Sequence, residues 1–255
     1  MKQRTQPQEI NTQMIEGRNA VHEALRAGRV LDKVFLARTD DDSMLGFLGA
    51  KAKEAGAVVI RCDKRKLDQM STTGAHQGVI AYAAAREYAT IDEIMERAEA
   101  SGRPPLIVIC DEISDPHNLG AIIRSAEAAG AHGVIIPKRH NAGLTAVVEK
   151  ASAGALEYMP IVRVPNLVAA METLKERGVW IYGTGLGATS NLFETDLTGP
   201  CAIVIGSEGE GIGRLVGEHC DFMMEIPMIG QIQSLNASAA AAIVLFETVR
   251  QRTAK

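Results

Sequence analysis

The sequence predicts an α/β protein in two parts, a small α/β domain followed by a larger domain built on a parallel sheet. Three observations carry this expectation. From Leu106 onward, short continuous apolar runs recur with helical segments between most of them, the pattern of strands covered on both faces. The run Ser101-Gly-Arg-Pro-Pro105 is a strong helix stop ahead of the first of these strands. Glycine-rich loops follow the late strands, where open α/β sheets place their ligands.

Taken in order, MKQRTQPQEINTQ over residues 1–13 has no apolar core of its own and reads as a flexible polar tail, not a signal peptide. A helix is expected over Ile15–Ala27, with Val21 and Leu25 at helical spacing, then a strand over Lys33–Ala37 and a helix over Ser43–Ala55. Strands follow at Ala57–Arg61 and Gly78–Ala83, and the polar Ser71–Gln77 loop between them is a candidate contact surface. Residues 14–88 form the first domain. Residues 89–104 are read as a linker with a helix pattern opened by a capping box, Thr90 with Glu93 three residues on. The second domain, 105–255, is expected to carry strands at Leu106–Asp111, Gly133–Pro137, Tyr158–Val162, Val179–Thr184, Cys201–Gly206 and Phe222–Ile226, and a last helix from Ser234 to about Arg252.

With 46% hydrophobic and 23% charged residues among 255, the composition is that of an ordinary globular chain. No apolar stretch is long enough to span a bilayer, so a cytoplasmic protein is expected. The four cysteines are scattered, without a Cys-x-x-Cys pair, and read as small buried thiols; neither metal nor disulfide is expected. The net charge of −4 argues against nucleic acid in general. Its distribution softens this, since residues 1–90 hold 14 Lys and Arg against 11 Asp and Glu. Arg61, Lys64, Arg65 and Lys66 make either a phosphate patch or a solvated face.

The common nucleotide fingerprints fail. One glycine follows the Leu106–Asp111 strand, not Gly-x-Gly-x-x-Gly, and no Gly-Lys-Ser/Thr occurs. A nicotinamide- or ATP-dependent enzyme is therefore disfavoured. The glycines lie instead in Gly183-Thr-Gly-Leu-Gly187, Gly206-Ser-Glu-Gly-Glu-Gly-Ile-Gly213 and Met228-Ile-Gly-Gln231, where bare backbone lets a ligand approach.

Three segments then match a family. Asp115-Pro-His-Asn-Leu-Gly-Ala-Ile-Ile-Arg-Ser-Ala-Glu-Ala-Ala-Gly130, Ile203-Val-Ile-Gly-Ser-Glu-Gly-Glu-Gly-Ile212 and Ile226-Pro-Met-Ile-Gly-Gln-Ile-Gln-Ser-Leu-Asn-Ala-Ser-Ala-Ala240 resemble, in order, the three motifs of SpoU/TrmH-class RNA 2′-O-methyltransferases. With Gly154–Leu167 the match covers about 105–252. The resemblance implies a SPOUT fold, a parallel sheet with a deep C-terminal trefoil knot, a rare exception to unknotted topology. It implies S-adenosylmethionine as cofactor, a homodimer and an RNA substrate. Ile15–Leu25 and His76-Gln-Gly-Val79 are similar to the small substrate-binding domain that precedes some of these enzymes and resembles a small RNA-binding ribosomal protein. The whole chain most resembles the bacterial enzymes that methylate a guanosine ribose in 23S rRNA. A tRNA methyltransferase of the same family and a non-catalytic RNA-binding or assembly factor are the alternatives.

By this resemblance Asn118, Arg124, Glu208, Ser234 and Asn236 line the catalytic site. Thr184, Gly185, Gly206, Gly209, Ile226, Met228 and Leu235 hold the cofactor. On the residues alone, Arg124 lies off the apolar stripe of its helix and reads as a solvated arginine. A guanidinium resists deprotonation, so a grip on a phosphate and stabilisation of an alkoxide suit it better than the part of a base. Asn118 reads as an N-cap or an orienting group, and Glu208 as an acid–base group, a partner for Arg124 or a brace for backbone amides. His117, in a Pro-His-Asn turn, reads as structural. Ala237 and Ala239–Ala242 suit close helix packing at a knot or dimer contact, and equally a helix of high intrinsic propensity.

Overall fold

The computed structural model describes residues 12–38, 42–84, 86–186, 188, 190–232 and 234–254. They divide into two compact units that meet between Glu87 and Tyr88. Of the expected tail, residues 1–11 lie outside the described residues.

The first unit runs β1 (Thr12–Glu16), α1 (Arg18–Arg26), β2 (Leu31–Ala37), α2 (Ser43–Glu54), β3 (Val58–Cys62), α3 (Lys64–Met70) and β4 (Val79–Ala84). The sheet order is β1-β4-β2-β3, with β4 antiparallel to both neighbours and β2 parallel to β3. Two corrections follow. Thr12 and Gln13 belong to a strand, not a tail. The first helix begins at Arg18, not Ile15, because Gly17 at φ +98° breaks the chain direction while Ile15 and Glu16 pair with β4. The apolar faces of α1 and α2 meet the sheet through Val21, Ala24, Leu45 and Leu48.

Glu16 is fully buried in this unit, and the Ser71–Gln77 loop wraps it. The Ser71 and Thr73 hydroxyls and the Thr72 amide (2.7 Å) all donate to its carboxylate. His76, also buried, accepts from the Gly78 amide (3.0 Å) and meets Asp68 (2.9 Å). Much of the polar chemistry expected on this loop's surface is therefore turned inward, because a buried carboxylate needs several donors.

The second unit runs α4 (Ile91–Ser101), β5 (Leu106–Cys110), α5 (Pro116–Ala128), β6 (Gly133–Pro137), α6 (Ala146–Ala151), β7 (Ile161–Val164), α7 (Leu167–Glu176), β8 (Trp180–Thr184), β9 (Ser190–Asn191), β10 (Cys201–Ile205), α8 (Arg214–Glu218), β11 (Phe222–Glu225) and α9 (Ala237–Thr253). Among the described residues its sheet has seven strands, all parallel, in the order β7-β6-β5-β10-β8-β11-β9. Every residue of β5 and β10 is buried, and alternate residues face opposite sides. Val108, Cys110, Ile203 and Ile205 pack with α5 and α9, while Ile107, Ile109, Ala202 and Val204 pack with α4 and α7. The continuous apolar runs are strands covered on two faces.

Residues 89–104 are more than a link. Ala89 bridges Val162, the Thr90–Glu93 capping box is formed, and Ile94 and Ala98 of α4 are buried against the second unit. The apolar i, i+4 spacing gives that helix one face to bury. The strand expected at Tyr158 starts at Ile161, because Ala155–Glu157 forms a 3₁₀ turn. Burial pushes the Cys110 thiol up to about 12 and the Cys201 thiol up to about 11, leaving both as inert core groups. No described helix is long and apolar enough to cross a membrane.

His132 is buried at the foot of β6, accepting from the Leu106 amide (3.0 Å) and bonded to Ser101 (2.9 Å). Burial, aided by nearby arginines, lowers its pKa from 6.5 to about 4. The unfolded chain then binds a proton that the folded one refuses, so this stability is full above pH 6.5 and is lost as pH falls towards 4. Urea unfolding should show a loss of roughly 3 kcal/mol over that window. His132→Asn, whose carbonyl still accepts from Leu106, should show a distinctly smaller loss.

Candidate active site

The carboxyl ends of β8, β10 and β11 lie side by side, and the loops that leave them enclose an open cleft with a cavity volume of about 140 Å³. The walls are Thr184, Gly185 and Leu186 after β8; Ile205 to Gly209 and Gly211 after β10; and Ile226, Met228, Ser234 and Leu235 after β11. Ala237 and Ala240 of α9 close it. All seven predicted cofactor positions thus line one cleft, together with Glu208 and Ser234.

The glycines have separate reasons. A Cβ on Gly206 would lie 2.1 Å from the carbonyl carbon of Gly211, so the backbone there admits no side chain. Ser207 and Gly211 close the loop with reciprocal backbone bonds of 2.9 and 3.1 Å, and Gly209 (φ +98°) and Gly211 (φ +70°) supply its left-handed turns. Gly185 donates to Met224 (3.0 Å), and the Thr184 hydroxyl donates to Val204 (2.9 Å). These two donors are therefore spent on the sheet, and bare backbone faces the cleft.

At the cleft wall, one carboxylate oxygen joins three remote segments. Glu208 Oε1 accepts from Asn118 Nδ2 (2.9 Å), from Asn236 Nδ2 and from the Ala237 amide (3.3 Å). Asn236 Nδ2 also donates to Asn118 Oδ1 (2.9 Å). The Asn236 Oδ1 accepts from the Ser238 (2.9 Å) and Ala239 (3.2 Å) amides and so caps α9, which is why that helix starts at Ala237 and not at Ser234. The cap of α5 is Asp115, which accepts from His117 N (2.9 Å), so Asn118 is free to turn its buried amide to Glu208.

Arg124 is not brought to this cleft. It is exposed on α5, six residues beyond Asn118, and among the described residues no hydrogen bond or ion pair engages its guanidinium. It is not the partner of Glu208. His117 is exposed at the start of α5. Sequence reasoning missed Asp111, which is buried at the end of β5 and accepts from the Gly213 amide (2.8 Å), anchoring the far end of the glycine loop. Burial raises its pKa, with the Gly213 amide opposing. An acid closing an apolar strand was the available signal. Ser207, Gly211 and Leu186 also line the cleft without having been predicted. Among the described residues, no group of three His, Cys, Asp or Glu is placed to hold a metal ion.

A parallel sheet whose late loops form a glycine-walled cleft, without a dinucleotide or phosphate fingerprint, makes a candidate small-molecule site outside the common nucleotide-binding types. The chain belongs to the SpoU rRNA Methylase family, whose model matches residues 105–246, and residues 14–89 match the model for RNA 2'-O ribose methyltransferase substrate binding. It is 47% identical to a putative TrmH family tRNA/rRNA methyltransferase, YacO, of Bacillus subtilis, over 92% of this chain and 94% of that one. It is 41% identical to the 23S rRNA (guanosine-2'-O-)-methyltransferase RlmB of Pseudomonas syringae, over 94% and 96%. The crystal structure of the SpoU methyltransferase AviRb from Streptomyces viridochromogenes with AdoMet superposes with a TM-score of 0.82 at 27% identity, over 96% of this chain and 92% of that one. The protein is therefore an RNA methyltransferase of the SpoU/TrmH type, and S-adenosylmethionine is its cofactor.

The lining suits that cofactor: Leu186, Ile226, Met228 and Leu235 offer apolar surface beside the glycine backbone, and Gly206 must stay bare for its loop to keep that shape. Gly206→Ala should displace the loop and weaken S-adenosylmethionine binding by at least about tenfold in calorimetry, some 1.4 kcal/mol. Gly217→Ala, in α8 with only a distant contact at 4.0 Å, should leave binding unchanged.

Proposed function

We propose that the protein transfers a methyl group to the ribose 2′-OH of a guanosine in 23S rRNA, in the cytoplasm. The Asn118–Glu208–Asn236 bridge at the cleft wall carries this reading. It binds the three resembling motifs into one polar surface beside the cofactor cleft, where a hydroxyl can be held for attack. The full-length similarity to RlmB and the match of residues 14–89 to a ribose-methyltransferase substrate-binding model favour rRNA over a shorter tRNA target.

S-adenosylmethionine, when bound, supplies an electrophilic methyl group on a sulfonium centre. Gly206, Gly209, Thr184, Gly185, Ile226, Met228 and Leu235 would hold it in the cleft. Glu208 Oε1 is occupied by three donors, while Oε2 has no hydrogen-bond partner among the described residues and is available to accept from the ribose hydroxyl. Asn118 and Asn236 fix the carboxylate's direction, and Ser234 stands at the cleft edge to contact substrate. The unpaired Arg124 guanidinium, exposed outside the cleft, is available to take a substrate phosphate.

Further parts of this reading concern assembly. The C-terminal segment forms the trefoil knot of SPOUT proteins; β10 inserting between β5 and β8 and α9 returning to cap the glycine-loop wall support it. The protein is a homodimer. In support, α9 exposes Ile243 and Phe246 on one turn, and Ile229 and Ile232 stand out beside the cleft. The first unit serves as an RNA-binding domain like a small ribosomal protein, with Arg61, Lys64, Arg65 and Lys66 exposed around the start of α3.

Ribose-methylation mapping of rRNA and tRNA from cells lacking the protein tests the target: one 23S guanosine should lose its methyl group, and a loss confined to tRNA would overturn the assignment. In purified enzyme, Arg124→Ala should lower kcat on the order of 100-fold without changing S-adenosylmethionine affinity, with partial recovery in Arg124→Lys. Glu208→Gln should lower kcat at least about tenfold; an unchanged kcat would reduce Glu208 to a brace.

A further inference from the structure

The second unit holds 13 Lys and Arg after residue 90 against 20 Asp and Glu, yet its cleft must receive a polyanion. Exposed cations gather at one place on the edge that carries the cleft. Lys138, Arg139 and His140 directly follow β6, all exposed, and among the described residues no ion pair engages their side chains. Beside them, Arg163 of β7 donates to the Lys138 carbonyl (3.2 Å) and lies 5.4 Å from the Tyr88 ring centre.

This loop is placed, not loose. The Lys138 amide donates to Val164 (2.8 Å), and the Ala142 amide donates to Ile113 (2.8 Å) in the loop that leads into α5 and Asn118. Because the sheet is parallel, the ends of β6, β5 and β10 share one edge. Two strand spacings, about 10 Å, separate the end of β6 from the end of β10, where the cleft begins.

The loop also carries the marks of a segment kept for use. His140 adopts φ +56°, in the left-handed region that non-glycine residues seldom occupy, as does Glu112 (φ +57°) at the end of the neighbouring β5. Both polar atoms of the Asn141 side chain are enclosed without a hydrogen-bond partner. Strained backbone and an unsatisfied amide persist where function requires the loop's shape.

We propose that Lys138 and Arg139, with Arg163 beside them, grip the phosphodiester backbone of the RNA strand whose ribose enters the cleft. The loop sets the strand's register in the catalytic unit itself, separately from the N-terminal unit. Phosphate contacts of this kind position without reading sequence. The inference deepens the ribose-methylation reading and rests on it. Of the carboxylates at this edge, Asp111 is buried on Gly213, Asp115 caps α5 and Glu208 is held by Asn118 and Asn236, while Glu112 and Glu210 are exposed acids outside the Lys138–His140 loop.

The test uses the full-length protein carrying Lys138→Ala and Arg139→Ala together, with 23S rRNA and tRNA transcripts as probes. Removing two phosphate contacts from a single strand should reduce the slope of log binding constant against log salt by about 1.4. The KM for RNA should rise at least about tenfold, with kcat at saturating RNA and S-adenosylmethionine affinity unchanged; Lys138→Arg with Arg139→Lys should restore KM. An unchanged slope and KM would overturn the proposal alone. So would loss of S-adenosylmethionine affinity in the double variant, which would make the loop structural. Wild-type protein that bound neither transcript would overturn it together with the function it rests on.

Discussion

The hydrogen bonds converging on Glu208 Oε1 are the contact on which the catalytic unit depends. Asn118 stands 90 residues before Glu208, and Asn236 stands 28 after it. One oxygen therefore fixes the start of α5, the glycine loop and the start of α9 against each other. A carboxylate with charge-assisted bonds from two amide side chains and a backbone N–H makes a stiff junction. A stiff junction beside a cleft is what an alignment-limited methyl transfer needs. Because Asn236 also caps α9, disturbing the junction would shift the helix that closes the cleft.

The sheet explains where that junction falls. β5 lies between β6 and β10, so successive crossovers run to one side of it early in the unit and to the other side later. Ligand crevices in open sheets form at such a reversal, beyond the carboxyl ends of the strands. Here the crevice is walled by three loops and closed by the first turn of α9, through Ala237 and Ala240. Asp111 at the end of β5 and Glu208 after β10 anchor the same loop from opposite ends.

The charge problem posed by an acidic RNA enzyme is met by distribution. The excess negative charge lies in the second unit, but Asp111, Asp115 and Glu208 are engaged in building the cleft and α5, while Lys138, Arg139, Arg163 and Arg124 stand exposed. Lys138 and Arg139, without ion-pair partners among the described residues, present a local positive field at one edge whatever the total charge.

Much of the fold was legible because its signals are local. The continuous apolar runs at β5, β6 and β10, the Thr90–Glu93 capping box and the order of the glycine loops depend on neighbours in sequence. So does the family resemblance, which places Glu208 and Asn118 in one site without geometry. What the sequence left open depends on contacts across tens of residues. β1 was taken for tail and helix because its register comes from β4, almost seventy residues away. Residues 89–104 were taken for a linker because burial of Ile94 requires the assembled sheet. Glu208 could be read as base, arginine partner or brace until the folded chain brought both asparagines to it and left Arg124 outside. The sequence by itself determined the class of protein and offered the candidate residues of its site. Tertiary structure alone decided which of them touch, because a hydrogen bond is set by distance and direction in space and not by separation along the chain.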